Sequence, residues 1–517
     1  MQQLEQKIAE LQDHIKTLES PGEMLGVALY NPYTRGDSPR GPVSRFALTD
    51  IPSTFPEDSA SNAITTPQAR DEHEPPTYEK RTILDTFFNT VCYAAARVGF
   101  FLDPKPTVDS MLHEPVGDPD HPTPALTHAI YLWGYHLSRS SSSASDREQS
   151  LKQVKYFLSE DLTGAHPHKV LHTIQAEVLL AHYYLSMGNV RESSRHAGDA
   201  LGLALAAGLH RAVRDGAGAS SRPMLSSTSS LGQSENIISR SQRIDAFWAV
   251  HTINVYLAVI QGPGATYSLE LHAVDVPWPV EEEGSGPLSD QRDIRTSYNA
   301  TILEFLDGKS TSGLSGKALH AKAVVLLEKA ATIHVEGEYT FRFLTCIEIL
   351  FLIDAPVDEH QERSTTNSDT GFSRLDTLIM DFQRSLPSIT PSQASRSSVH
   401  LHITTHMLVY TALIKLHSPF VSSLTPGFGP ARRQCIYATQ AIAELTRIYL
   451  TYGSESSAVV ADPIIGLAWG AVYELLLLLA AGYSATDKKD GCPPATFEAF
   501  YTILNALNVY SEEVPLL

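Results

Sequence analysis

The chain has 517 residues, 43% of them hydrophobic, with 39 Lys and Arg set against 58 Asp and Glu, a formal net charge of −19. That is long and apolar enough for a large core and for more than one domain. An acidic polypeptide repels phosphate and no basic arm offsets it, so these residues by themselves make a poor nucleic-acid binder.

Met1, Leu4, Ile8, Leu11, Ile15 and Leu18 are spaced 3, 4, 3, 4, 3. This is the a/d repeat of a coiled coil, and Ile at a with Leu at d favours a parallel pair of strands. Under three heptads are marginal alone, and an amphipathic helix docked on the rest of the chain is the ordinary alternative. Lys7 and Lys16 face Glu5, Glu10, Asp13 and Glu19. The charged, heptad-patterned start is unlike a signal peptide. Residues 21–78 are rich in Pro, Ser, Thr and acids and read as a flexible linker.

From about Tyr78 the pattern is helical to the end, and no period-two run demands a sheet. The predicted helices are 79–97, 124–139, 147–158, 168–187, 190–207, 239–261, 293–307, 316–335, 338–354, 372–385, 399–417, 430–451, 463–482 and 494–511. Three polar inserts interrupt them: Ser138–Ser150 and Ala212–Ser241, both Ser-rich and read as mobile, and the charged Asp358–Phe372. Their serines are candidate phosphorylation sites. The apolar run Pro463–Tyr483 approaches the length of a membrane span. Glu474 at its centre and the flanking Asp462, Asp487, Lys488 and Lys489 favour a buried helix instead, so no membrane is expected.

The strongest local signal is a helical pair over 168–211. Val170, Ile174, Val178, Ala181 and Leu185 make one apolar face. Gly188-Asn189 ends the first helix. Ala197, Ala200, Ala204 and Ala207 allow a close second helix, and Gly208 closes it. Residues 176–209 also fit one tetratricopeptide-like unit, through Ala181, Tyr184, Gly188, Ala200 and Leu201. A solenoid needs about three such repeats, and no second copy follows.

In this region the chain resembles the middle regulatory region of fungal zinc-binuclear-cluster transcription factors. The residues carrying the resemblance begin with Gln175-Ala176, Gly188 and Gly208-Leu209-His210-Arg211. They continue through Arg243-Ile244-Asp245-Ala246-Phe247-Trp248, Gln261-Gly262-Pro263 and Asp275-Val276-Pro277-Trp278-Pro279, to His402, His406 and Leu416-His417-Ser418-Pro419-Phe420. Their order matches over about residues 80–485. Asn254-Val255 stands where the family often has Asp-Arg, and the Arg of a Gly-Arg-Pro element is missing. The resemblance implies a short coiled coil between a DNA-binding cluster and the linker, matching residues 1–20. The six-cysteine cluster itself is not in this sequence, which begins where that cluster should already have ended. Either an upstream part is missing or the protein works without it.

Candidate sites weigh less. Cys92, Cys346, Cys435 and Cys492 form no CxxC, so no zinc ribbon or redox motif is encoded, and the usage suits a reduced intracellular setting. His402 and His406, with His400 nearby, and likewise His168 and His172, have the i, i+4 spacing of a zinc pair. They lack the Glu of HExxH and read as structural. Asp358-Glu359-His360-Gln361-Glu362 resembles an acidic Mg²⁺ motif of helical lyases, but no second motif faces it, and a solvated charge run is favoured. No phosphate loop, Gly-x-Ser-x-Gly elbow or Cys/His nucleophile pair supports an enzyme.

The expectation is therefore an all-α protein and not an enzyme. A coiled-coil dimerisation segment (1–20), a linker (21–78) and a large helical regulatory domain (79–517) would carry transcriptional control in the nucleus. Met1, Leu4, Ile8, Leu11, Ile15 and Leu18 would hold a homodimer. DNA would be contacted only through the zinc cluster outside this sequence, so no cofactor is expected within it, and a coactivator or small-molecule effector would act on the helical body. The alternatives are a clusterless interaction protein that titrates a full-length relative, and an all-α metal-dependent lyase.

Overall fold

Helix follows helix because apolar residues recur every three to four positions and each stripe needs a neighbour to cover it. The computed structural model describes residues 74–88, 94–138, 143–211, 240–262, 274–280, 301–309, 313–351, 362–389, 396–421, 429–453, 462–486 and 494–510. All belong to one compact unit, His73–Leu517. The heptad residues and most of the linker lie outside the described residues. Among the described residues there are fifteen α-helices and no strand.

The N-terminal half comprises α1 (Thr77–Phe88), α2 (Ala94–Arg97), α3 (Pro104–His113), α4 (Pro124–Ser138), α5 (Ser143–Thr163), α6 (Lys169–Ser186) and α7 (Val190–Ala206). Here α4 is central, packed by α1, α5 and α6, with Leu126, Ile130, Leu132 and Trp133 buried. A Cβ at Gly134 would lie 2.8 Å from the Ile83 carbonyl oxygen, so the crossing of α1 over α4 requires a glycine. The C-terminal half comprises α8 (Arg240–Gln261), α9 (Thr301–Leu306), α10 (Gly316–Phe351), α11 (Glu362–Ser385), α12 (Arg396–His417), α13 (Gly429–Gly453), α14 (Pro463–Thr486) and α15 (Pro494–Tyr510). A 3₁₀ turn, Ser418–Phe420, follows α12. Here α12 is central, covered by α10, α11, α13 and α14. The halves are joined by α8, which touches α6 and α7 on one side and α10 and α14 on the other.

Several elements differ from the sequence reading. The predicted helices 316–335 and 338–354 are one helix, α10, because Gly337 weakens a helix interior by only about 1 kcal/mol and does not break it. The insert expected over Ser138–Ser150 is helical from Ser143, and Ser143 and Ser150 are buried. The polar stretch ending at Phe372 is helical from Glu362. The predicted 293–307 helix is described only over Thr301–Leu306. An additional helix, α3, starts where Asp103 accepts the Lys105 amide at 3.1 Å, ahead of Pro104. That start signal was present in the sequence. No helix among the described residues is long and apolar enough to cross a membrane. Nor is α14 buried all round: Tyr473, Glu474, Leu477 and Leu478 are exposed.

Candidate functional site

The hairpin of α6 and α7 is built as its residues dictate. Gly188 takes φ +73°, the Asn189 amide reaches the Tyr184 carbonyl at 2.8 Å, and the Asn189 side chain accepts the Glu192 amide to start α7. Ala197, Ala200 and Ala204 are fully buried. The Ser193 hydroxyl donates across the hairpin to the Ala181 carbonyl at 2.7 Å. From α8, Asn254 Nδ2 donates to the Ala197 carbonyl at 3.0 Å. Ala181, Leu185, Ala197, Ile253 and Leu257 form a small core common to the three helices.

Inside this hairpin Glu177, His196 and Asp199 bring three metal-ligand atoms within 4.8 Å of one another. The arrangement does not suit an ion. His196 Nδ1 lies 2.6 Å from Glu177 Oε2, a direct hydrogen bond with no space between. Arg195 occupies the cationic position, with Nη2 2.8 Å from His196 Nε2 and Nη1 3.5 Å from Asp199. Since Nε2 accepts from arginine, Nδ1 carries the ring proton toward Glu177. Tyr184 stacks on the imidazole, centroids 5.4 Å apart. This relay ties α6 to α7.

A second polar cluster lies where the two halves meet. Asp462 precedes α14 and is almost wholly buried. Its Oδ1 accepts the Ile464 amide at 2.9 Å, and its Oδ2 accepts His400 Nε2–H from α12 at 2.8 Å. Burial raises the Asp462 carboxyl, but the His400 bond and charge, the Ile464 amide and the Arg97 charge together bring it below the usual carboxylate range. Burial lowers His400 despite its bond to Asp462. Tyr256 of α8 and His320 Nε2 of α10 are 3.1 Å apart, and His320 Nδ1 is 3.4 Å from the Thr405 hydroxyl. The charge of Asp462 reaches Tyr256, His320 and His182. Burial pushes His182 and His320 down to about 4, and His182 Nδ1 has no hydrogen-bond partner among the described residues. Gly99, at φ +69°, passes so close that a Cβ would lie 3.3 Å from His182 Nε2.

The Asp462 carboxylate thus bridges the start of α14 to α12, and the Tyr256, His320 and Thr405 contacts join α8, α10 and α12 beside it. Among the described residues no nucleophile faces a base there, and the Cys435 thiol is buried and pushed up to about 12. The chemistry on offer is that of a joint, whose hydrogen bonds couple α12 and α14 to α8 and α10.

The other residues singled out in the sequence fall elsewhere. His406 Nε2 bonds the Pro387 carbonyl at 3.0 Å, tying α12 to the segment after α11. His172 Nδ1 accepts the Thr123 amide at 3.2 Å, and His166, His168 and His172 pack ring against ring. Asp358–Gln361 lie outside the described residues. Trp248 donates from Nε1 to the Pro277 carbonyl at 2.8 Å and stacks on Trp278 at 4.7 Å, which seats the Val274–Pro279 segment on α8. His417 contacts Asp376 at 3.1 Å and Phe372. Sequence reasoning missed Asp462 and the His182, Tyr256, His320 set, which no spacing links; only the N-cap position of Asp462 before Pro463 was legible.

The described residues form an all-helical body with a buried polar joint between its halves. A family model described as the fungal-specific transcription factor domain matches residues 85–399. The chain belongs to that family. No curated protein and no solved structure matches it significantly.

Proposed function

We propose that this protein is the regulatory part of a nuclear transcription factor that controls RNA polymerase II transcription. The observation that carries this reading is the family match over more than half of the chain, on a body whose elements meet at one joint. The heptads Met1, Leu4, Ile8, Leu11, Ile15 and Leu18 dimerise two copies, and DNA is read by a zinc-cluster module outside these residues. Half-site spacing then follows from dimer geometry. The helical body has two packings, and a coactivator or small-molecule effector favours one of them. The net charge of −19 agrees with a division of labour in which this part does not touch DNA.

The test has two arms. Tethered to an unrelated DNA-binding domain in a fungal host, the full chain should change expression of a reporter carrying the matching site; unchanged expression would sink the regulatory reading. In sedimentation, the full chain should run as a dimer and the Ile8→Asp/Leu11→Asp variant as a monomer. A variant that keeps the dimer mass would show that the heptads do not hold the copies together.

A further inference from the structure

The end of α7 and the start of α8 border a shallow surface groove. Leu209, Ile244, Val276 and Pro277 make its apolar floor, and Arg211, Arg240 and Arg243 its rim. Several arginines elsewhere on the described surface pair with acids: Arg195 with Glu192, Arg374 with Asp307, Arg384 with Asp381 and Arg447 with Glu444. The rim arginines do not. Arg240 and Arg243 have no hydrogen-bond or ion-pair partner among the described residues, and Arg211 donates only to its neighbour His210, Nε to Nε2 at 3.1 Å. The adjoining acids do not neutralise them. Asp245 is taken by Lys317 at 2.6 Å. Asp275, whose amide donates to the His210 carbonyl at 3.1 Å, brings one carboxylate against three guanidiniums.

We propose that Arg211, Arg240 and Arg243 form a binding site for a phosphate monoester. Three unpaired guanidiniums on one groove repel each other, and an acidic chain with carboxylates to spare leaves them unpaired. Each guanidinium offers parallel N–H donors, so three of them match the three terminal oxygens of a phosphate ester, whereas a carboxylate is satisfied by one fork. The amino end of the 22-residue α8 adds partial positive charge on the same side.

The sequence favours one source for the ester. Arg211 and Arg240 are the residues on either side of the Ser-rich stretch 212–239, which holds Ser220, Ser221, Ser226, Ser227, Ser229, Ser230, Ser234 and Ser239. A kinase would transfer the terminal phosphoryl group of a nucleoside triphosphate to a serine Oγ, with loss of the hydroxyl proton and release of the diphosphate. The phosphoserine would then reach the rim from either anchor. A free phosphate ester is the other source of the same chemistry. The site stands independently of the dimer reading above.

Calorimetric titration of the full chain tests it. The probes are inorganic phosphate, a peptide of residues 220–234 phosphorylated on Ser227, and the same peptide unphosphorylated. Phosphate and the phosphopeptide should bind and the plain peptide should not. Arg240→Gln with Arg243→Gln should weaken phosphopeptide binding at least about tenfold with an unchanged Tm, and the Lys pair, which keeps charge without the fork, should weaken it less. Equal binding of both peptides, or binding that survives the Gln pair, would overturn the site. If phosphorylating the chain's own 212–239 stretch abolishes phosphopeptide binding, that stretch is the source. If binding is undiminished, the stretch is ruled out as source and the ester comes from a separate molecule.

Discussion

Asp462 shows how much one buried side chain can decide. It accepts the Ile464 amide at the start of α14 and the His400 ring from α12, so replacing it removes a helix cap and a polar bridge together. Asp462→Asn keeps the size but places an N–H donor beside one of those two donors. We expect a loss of about 3 kcal/mol in urea unfolding at pH 7; a loss below about 1 kcal/mol would show that the bridge is not what secures this joint. Gly99 is the backbone counterpart. At φ +69°, with Val178 Cγ1 3.1 Å from where a Cβ would stand, Gly99→Ala should cost about 2 kcal/mol from left-handed strain and crowding. Equal denaturation midpoints for the two proteins would contradict that. Beyond the N-cap position of Asp462 before Pro463, neither role is visible in the sequence, because the partners that define them, His400 and Val178, lie tens of residues away.

At the scale of elements, the α6–α7 hairpin is where local and tertiary preferences agree. The Gly188 turn, the Asn189 cap and the small face of α7 are set by residue type, and the structure places each in that role. Asn189→Ala should destabilise by about 1 kcal/mol through loss of the cap. Ala200→Leu should cost about 2–3 kcal/mol, because the fully buried Ala200 leaves no room for a larger side chain. Both are read in chemical denaturation of the full chain, and an Ala200→Leu protein of unchanged stability would mean the helices can separate freely. Where residue type is permissive, sequence reasoning placed boundaries poorly. The Ser-rich Ser138–Ser150 reads as a mobile insert, yet from Ser143 on it is the first part of α5, and packing of that helix against α4 outweighs serine's weak helix propensity. The two helices expected over 316–335 and 338–354 are one, α10, which runs through Gly337.

At the scale of the molecule, buried histidines tie stability to acidity. Burial holds His182 at about 4 and His251 at about 3, and lowers His400. An unfolded histidine titrates near 6.5, so below that pH the unfolded chain binds protons that the folded one refuses, and stability falls as pH drops from about 6.5 toward the folded values. Asp462, depressed in the folded state, acts in the same direction at lower pH, its contribution being lost as pH falls through its folded pKa. At pH 5 His182 alone represents about 2 kcal/mol. Thermal unfolding from pH 7 to pH 5 should show a falling Tm. His182→Gln, which removes the titrating group, should flatten that dependence, and an unaltered slope would assign it elsewhere.

The sequence by itself determined the all-helical class, the α6–α7 hairpin and the family, because these depend on periodicity, turn chemistry and ordered short motifs. Those signals are local and survive in one dimension. Only the tertiary structure decided that α8 joins the two halves, that Asp462 bridges α14 to His400 of α12, and that Arg211 and Arg240, 29 positions apart in sequence, border one groove with Arg243. Such juxtapositions are set by which helix faces pack together. That choice is made by burial summed over the whole core, and no single stretch of sequence contains it.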